Sequence, residues 1–136
     1  METPAGLPVN DSGWEIRPEG ILEQLLDFQN RYGGVPIYIT ENGCSCPDRP
    51  DTSGKVQDTQ RSAYLRDYLD AGLEAIEQGV NLKGGFFWSL LDNFEWAEGY
   101  SKRFGLVYVD FETQKRIPKE SYRFVQKLIR DNAIPD

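Results

Sequence analysis

Residues 84–96 read Gly84-Gly85-Phe86-Phe87-Trp88-Ser89-Leu90-Leu91-Asp92-Asn93-Phe94-Glu95-Trp96. The first half is an apolar run of strand length. A run that is apolar on both faces suits a strand covered on both sides, as in a parallel sheet between helices. The character then changes abruptly to Asp92, Asn93, Glu95 and Trp96, polar and aromatic groups at the strand's end. α/β folds place their binding sites at such positions. The plainer alternative is a core strand that emerges into solvent.

Working outward, the flanking segments alternate in type. Upstream, Ile21, Leu22, Leu25, Leu26 and Phe28 form an apolar stripe behind Pro18, and Gly33, Gly34 and Pro36 stop it, which predicts a helix over 18–32. The β-branched and aromatic run over 35–40 predicts a buried strand leading into Glu41-Asn42-Gly43. A carboxylate just past such a strand is either a site residue or a solvated turn. Residues 44–56 lack periodicity and read as a polar loop. Asp58 then suits an N-cap, with Leu65, Leu69, Leu73 and Ile76 on the apolar side and Arg61, Arg66, Asp67 and Glu74 free to face water. Gly79 closes that helix. Helix, strand, helix, strand is the order of βα units and a parallel sheet. Downstream, residues 106–111 alternate around Val107 and Val109, residues 113–116 can turn a short hairpin, and Pro118 opens a last helix with Tyr122, Val125, Leu128 and Ile129 on its apolar side. The chain thus divides into a lead-in at 1–13, a folded body at 14–132 and a tail at 133–136.

Composition narrows the chemistry. A chain of 136 residues can build one core, and its 39% hydrophobic and 27% charged residues are an ordinary soluble balance. A net charge of -7 disfavours nucleic acid and anionic membrane as partners. No apolar run approaches the ~20 residues of a membrane span. Nothing after Met1 resembles a signal peptide, so a cytoplasmic location is expected. The sequence has no histidine, which removes histidine acid–base chemistry, serine–histidine triads and most zinc sites. Cys44 and Cys46 do not have the usual zinc spacing, and a bridge so short would be strained, so reduced thiols in a solvent loop are expected. No cofactor or metal is implied. Catalysis, if any, falls to carboxylates.

Three separated stretches share one resemblance. Tyr38-Ile39-Thr40-Glu41-Asn42-Gly43 resembles the nucleophile motif of family 1 glycoside hydrolases, the β-glucosidase family. Residues 88–96 resemble the sugar-binding end of that family's last barrel strand, and residues 102–110 the segment that follows. The resemblance runs in register from about Trp14 to about Asn132. It implies α/β architecture, specifically the C-terminal part of a (β/α)8 TIM barrel, about strands seven and eight with their helices. Such barrels usually need ~250 residues, so an incomplete barrel is expected.

The resemblance also implies roles. A retaining glycosidase uses two carboxyl groups ~5–5.5 Å apart, one attacking the anomeric carbon and one protonating the leaving oxygen. Glu41 takes the nucleophile's place. Trp88 would lie along the apolar side of a sugar ring, although a tryptophan there can equally be core. Glu95 would accept hydrogen bonds from two sugar hydroxyls, Trp96 would donate one, and Phe104 would line the same pocket. Ser89, Asn93 and Tyr100 divide between pocket and loop-fixing roles, and Asp92 and Glu98 read as structural or solvent-facing. The family's acid/base Thr-x-Asn-Glu-Pro segment does not occur here. The resemblance therefore implies a β-glucoside or related β-glycoside as partner and a chain inactive alone. Docking onto the missing N-terminal barrel segment, or self-association, is expected to cover its exposed edges. A non-catalytic carbohydrate-binding remnant or half of a split enzyme is the alternative.

Overall fold

The computed structural model describes residues 6–135. Its elements are α1 (Pro18–Tyr32), β1 (Ile37–Asn42), α2 (Thr59–Glu77), β2 (Leu82–Phe87), β3 (Val107–Val109), β4 (Arg116–Pro118) and α3 (Glu120–Asp131). β1 and β2 pair in parallel with α2 as the crossover, which is one βαβ unit. β3 and β4 form a separate antiparallel hairpin. Among the described residues the strands make two two-stranded sheets, and no barrel closes.

Helix α1 begins and ends where its punctuation places it. Pro18 occupies the first turn, where its missing N–H has no intrahelical partner to lose. Gly33 follows Tyr32 with φ 71°, a left-handed conformation that glycine adopts without steric cost. The α1 and α2 helices cover one face of the β1–β2 pair, burying Leu25, Ala75 and Val80 against Ile37, Ile39 and Leu82. A second core gathers Cys44, Cys46, Tyr64, Leu65, Leu106, Phe124 and Val125 beneath α2 and α3.

Several expectations need correction. The strand at the heart of residues 84–96 is not covered on both faces: it ends at Phe87, and Phe86 is 62% exposed. Only β1 pairs with it, and Phe86 and Tyr38 on the face opposite the helices are both more than half exposed. Glu41 and Asn42 belong to β1 itself rather than to the turn after it. Cys44 and Cys46 are not in a solvent loop but fully buried. Asp58 precedes α2 without capping it through its side chain, and Arg61 does not face water. These two side chains instead bond to each other inside the core, and Asp58 also accepts from the Ser121 backbone N–H at 2.8 Å. Leu73 and Ile76 are half exposed rather than core. Pro118 ends β4, and α3 starts two residues later at Glu120. The first five residues of the lead-in and Asp136 lie outside the described residues.

Candidate active site

β1 and β2 run parallel, so their carboxyl ends lie side by side, and the candidate groups follow from that. Glu41 is near the end of β1, and Trp88 immediately follows β2. The two backbones touch there. A Cβ added to Gly43 would fall 1.9 Å from the Trp88 carbonyl oxygen, so only glycine lets the chains come this close. The Trp88–Ser89 peptide bond is cis.

A cavity of about 380 Å³ opens above this junction, lined by Trp14, Glu41, Asn42, Gly43, Tyr64, Trp88, Glu95, Trp96 and Phe104. All five sequence candidates, Glu41, Trp88, Glu95, Trp96 and Phe104, therefore meet in one place. The Trp88 indole N–H donates to Glu95 Oε2 at 3.2 Å, which fixes an aromatic face beside a carboxylate. Trp96 opens a 3₁₀ turn (Trp96–Glu98) with φ 45° and is 80% exposed, so it contributes little to the core. Phe104 forms the buried floor, its ring 5.8 Å from that of Trp14.

In the cavity wall, Asn42 Nδ2 donates to the Tyr64 hydroxyl at 3.3 Å. Burial pushes the Tyr64 phenol well above its ordinary range, helped by the neighbouring Tyr68 ring stacked 4.1 Å away. Tyr64 thus presents a protonated hydroxyl to Asn42. Trp14 and Tyr64 were missed by sequence reasoning. Trp14 lies in a stretch without periodicity, and Tyr64 is a single α2 residue at the cavity, which helical spacing does not mark.

The groups between pocket and loop roles divide clearly. Asn93 Nδ2 donates to Ser89 Oγ at 3.0 Å, and Ser89 Oγ donates to the Leu91 carbonyl at 2.8 Å, so both fix the loop. Tyr100 packs edge-on against Phe94 and at a tilt against Phe111, and is not among the residues lining the cavity. Asp92 is structural: it is buried and accepts from Gly105 N–H, Arg103 and Lys119. Glu98 is exposed. Among the described residues no cluster of three or more His, Cys, Asp or Glu side chains could hold a metal ion, and no helix is long and apolar enough to cross a membrane.

Comparison with known proteins places this geometry in context. Residues 1–134 match the sequence pattern of glycosyl hydrolase family 1. A 1,4-beta-D-glucan glucohydrolase of Thermotoga neapolitana is 52% identical over 130 residues, covering 96% of this chain and 29% of that protein. A 6-phospho-beta-galactosidase of Lacticaseibacillus rhamnosus is 42% identical over 138 residues, covering 98% of this chain and 29% of that protein. Among solved structures, a beta-glucosidase from Thermotoga maritima in complex with glucoimidazole superposes with a TM-score of 0.95 at 47% identity, covering 98% of this chain and 30% of that one. The chain therefore spans less than a third of the length of these relatives.

Proposed function

The chain belongs to glycosyl hydrolase family 1, and on that premise we propose that it supplies the nucleophile and part of the sugar pocket for retaining hydrolysis of β-glucosides. Glu41 attacks the anomeric carbon and forms the glycosyl ester. Trp88 lies along the ring, Glu95 accepts from two sugar hydroxyls, Trp96 donates to one, and Phe104 closes the floor. β1 and β2 are read as strands seven and eight of the barrel. The observation that carries this reading is the convergence of Glu41 with Glu95, held by Trp88, on one cavity.

Two carboxylates share the cavity, but Glu95 is engaged by an indole N–H and reads as a binding group rather than the acid. The acid/base carboxyl would come from a segment outside these 136 residues, so the chain alone is inactive. The open face around Tyr38 and Phe86, both more than half exposed, suits burial against that segment or against a second copy. An unphosphorylated sugar is favoured over a 6-phosphosugar, because Glu95 would repel a phosphate dianion. The nearby cations are already committed, Lys102 to Asp11 and Arg103 to Asp92.

The test is hydrolysis of a chromogenic β-glucoside by the purified chain, alone and mixed with the part of the Thermotoga neapolitana relative that it does not match. Turnover only in the mixture, abolished by Glu41→Gln, is expected. Turnover by the chain alone that Glu41→Gln abolishes would overturn the assignment of the acid to another segment. A folded complex that binds glucoimidazole without turnover favours a carbohydrate-binding remnant, the second reading, which the missing Thr-x-Asn-Glu-Pro segment supports.

A further inference from the structure

The Glu41 side chain is exposed, and its carboxylate has no hydrogen-bond or ion-pair partner among the described residues. Its direction is therefore set by its backbone. The strand ladder does not hold that backbone directly. Ile39 pairs with Gly85 and Asn42 with Phe87, but the register shifts between the two, so Thr40 and Glu41 fall in the irregular step. Irregular steps of this kind re-aim side chains next to active sites. The nearest fixed point is Asn42.

Asn42 is held from two sides. Its backbone carbonyl accepts from the Trp88 N–H at 2.9 Å, which ties it to the segment after β2. Its side-chain amide donates to the Tyr64 hydroxyl at 3.3 Å, which ties it to α2. Tyr64 is itself buried, with its ring stacked 4.1 Å from that of Tyr68. The Tyr68 hydroxyl in turn accepts from the Arg17 backbone N–H at 3.1 Å. The Tyr64 hydroxyl thus couples the end of β1 to a braced pair of rings on α2.

We propose that Tyr64 is a positioning residue for Glu41, its hydroxyl holding Asn42 so that the carboxylate on the irregular step meets the anomeric carbon. This inference rests on the hydrolytic reading of Glu41. Tyr64 acts through Asn42 and gives up no proton: burial raises its phenol, so the hydroxyl stays neutral at ordinary pH. Attack requires the reacting atoms to be aligned about 3–3.5 Å apart, and a displacement of about 1 Å can cost 10²-fold in rate. A tyrosine that served the core alone would need only its ring.

The experiment mixes the chain with the part of the Thermotoga neapolitana relative that it does not match. The probe is a dinitrophenyl β-glucoside fluorinated at the carbon beside the anomeric one. Glu41 attacks the anomeric carbon, the bond to the phenolic oxygen breaks, and dinitrophenolate leaves with the electron pair, so this step needs no acid. The fluorine slows hydrolysis of the glycosyl ester, which accumulates and is followed by intact mass and mapped by peptide analysis. Its rate constant reports the placement of Glu41, and its final amplitude reports how many complexes have folded.

Tyr64→Phe keeps the ring and should lower the rate constant at saturating probe about tenfold or more, with the amplitude retained. The half-saturating concentration should stay within about twofold, because binding of the ground state is unchanged. Asn42→Ala should act alike, and the double variant should lose no more than either single one, since both remove one contact. An unchanged rate constant in Tyr64→Phe, a loss confined to amplitude, or losses that multiply in the double variant would overturn the inference alone. If Tyr64→Phe does not assemble with the added segment, Asn42→Ala decides, and an unchanged rate constant there overturns it. No ester on Glu41 in a folded, unaltered complex overturns the hydrolytic reading and this inference with it.

Discussion

Lys119 Nζ stands 2.8 Å from Asp92 Oδ1, and neither side chain has any access to water. The same ammonium lies 2.5 Å from Asp48 Oδ2. Asp48 is on the loop after β1 and Asp92 on the loop after β2, so one cation ties together the two segments that carry Glu41 and Glu95. Arg61 extends the network to Asp48 and Asp58, and Arg103 joins it at Asp92. Three carboxylates thus meet three cations, and the buried charge balances.

Lys119→Met leaves Asp48 without its ammonium and Asp92 with Arg103 alone. Removing one partner of a buried ion pair costs about 3–5 kcal/mol, because the remaining charge stays desolvated. Urea unfolding of the variant should show that loss. An unchanged midpoint would mean the loops are held by packing alone.

Gly43→Ala places a methyl group 1.9 Å from the Trp88 carbonyl oxygen, a backbone atom that cannot rotate away as a side chain would. The carboxyl ends of β1 and β2 must separate. Overpacking of this kind costs typically about 1–3 kcal/mol. The expected signature is a shift of the Trp88 indole N–H resonance together with lower stability. A Trp88 signal at its original position would show that the junction tolerates a side chain.

Tyr64 links pH to stability. Its folded phenol is raised above the ordinary value of 10.0 by burial, so the folded state holds its proton where the unfolded chain releases it. The contribution is fully present below pH 10 and is lost as pH rises from there towards the folded value. Unfolding free energy measured from pH 8 to 11 should therefore fall above pH 10, and Tyr64→Phe should flatten that fall. An identical slope in the variant would remove Tyr64 from the linkage.

Trp96→Ala separates binding from folding. With 80% of its surface in water, Trp96 buries little, and its removal should change stability by no more than about 0.5 kcal/mol. If its indole N–H meets a sugar hydroxyl, glucoimidazole affinity in the reconstituted complex should drop severalfold, in line with about 1 kcal/mol for a hydrogen bond. Calorimetry showing full affinity would take Trp96 out of the pocket.

Local signals were sufficient for most of the backbone. Pro18 and Gly33 bound α1 because they act through their own dihedral angles, which no neighbour needs to supply. The apolar spacing around Leu65 located α2, and the alternation at Val107 and Val109 located β3. Charge was where local reading failed. Asp58 reads as an N-cap and Arg61 as a solvent-facing helix residue, yet both are buried because their partners, Asp48, Ser121 and the Arg103 carbonyl, arrive from distant parts of the chain. The cysteines misled for the same reason: a loop rich in Ser, Pro and Asp reads as exposed until α2 and α3 cover it.

The sequence by itself determined the βαβ order through periodicity, and the motifs that carry its family resemblance singled out Glu41, Trp88, Glu95, Trp96 and Phe104 as candidates, because motifs and periodicity are properties of neighbouring positions. Tertiary structure alone decided that these five share one cavity with Trp14 and Tyr64, that Phe86 lies open rather than covered, and that Lys119 joins Asp48 to Asp92. The physical reason is that burial and ion pairing depend on what the rest of the chain brings into contact, and no single stretch of sequence carries that information.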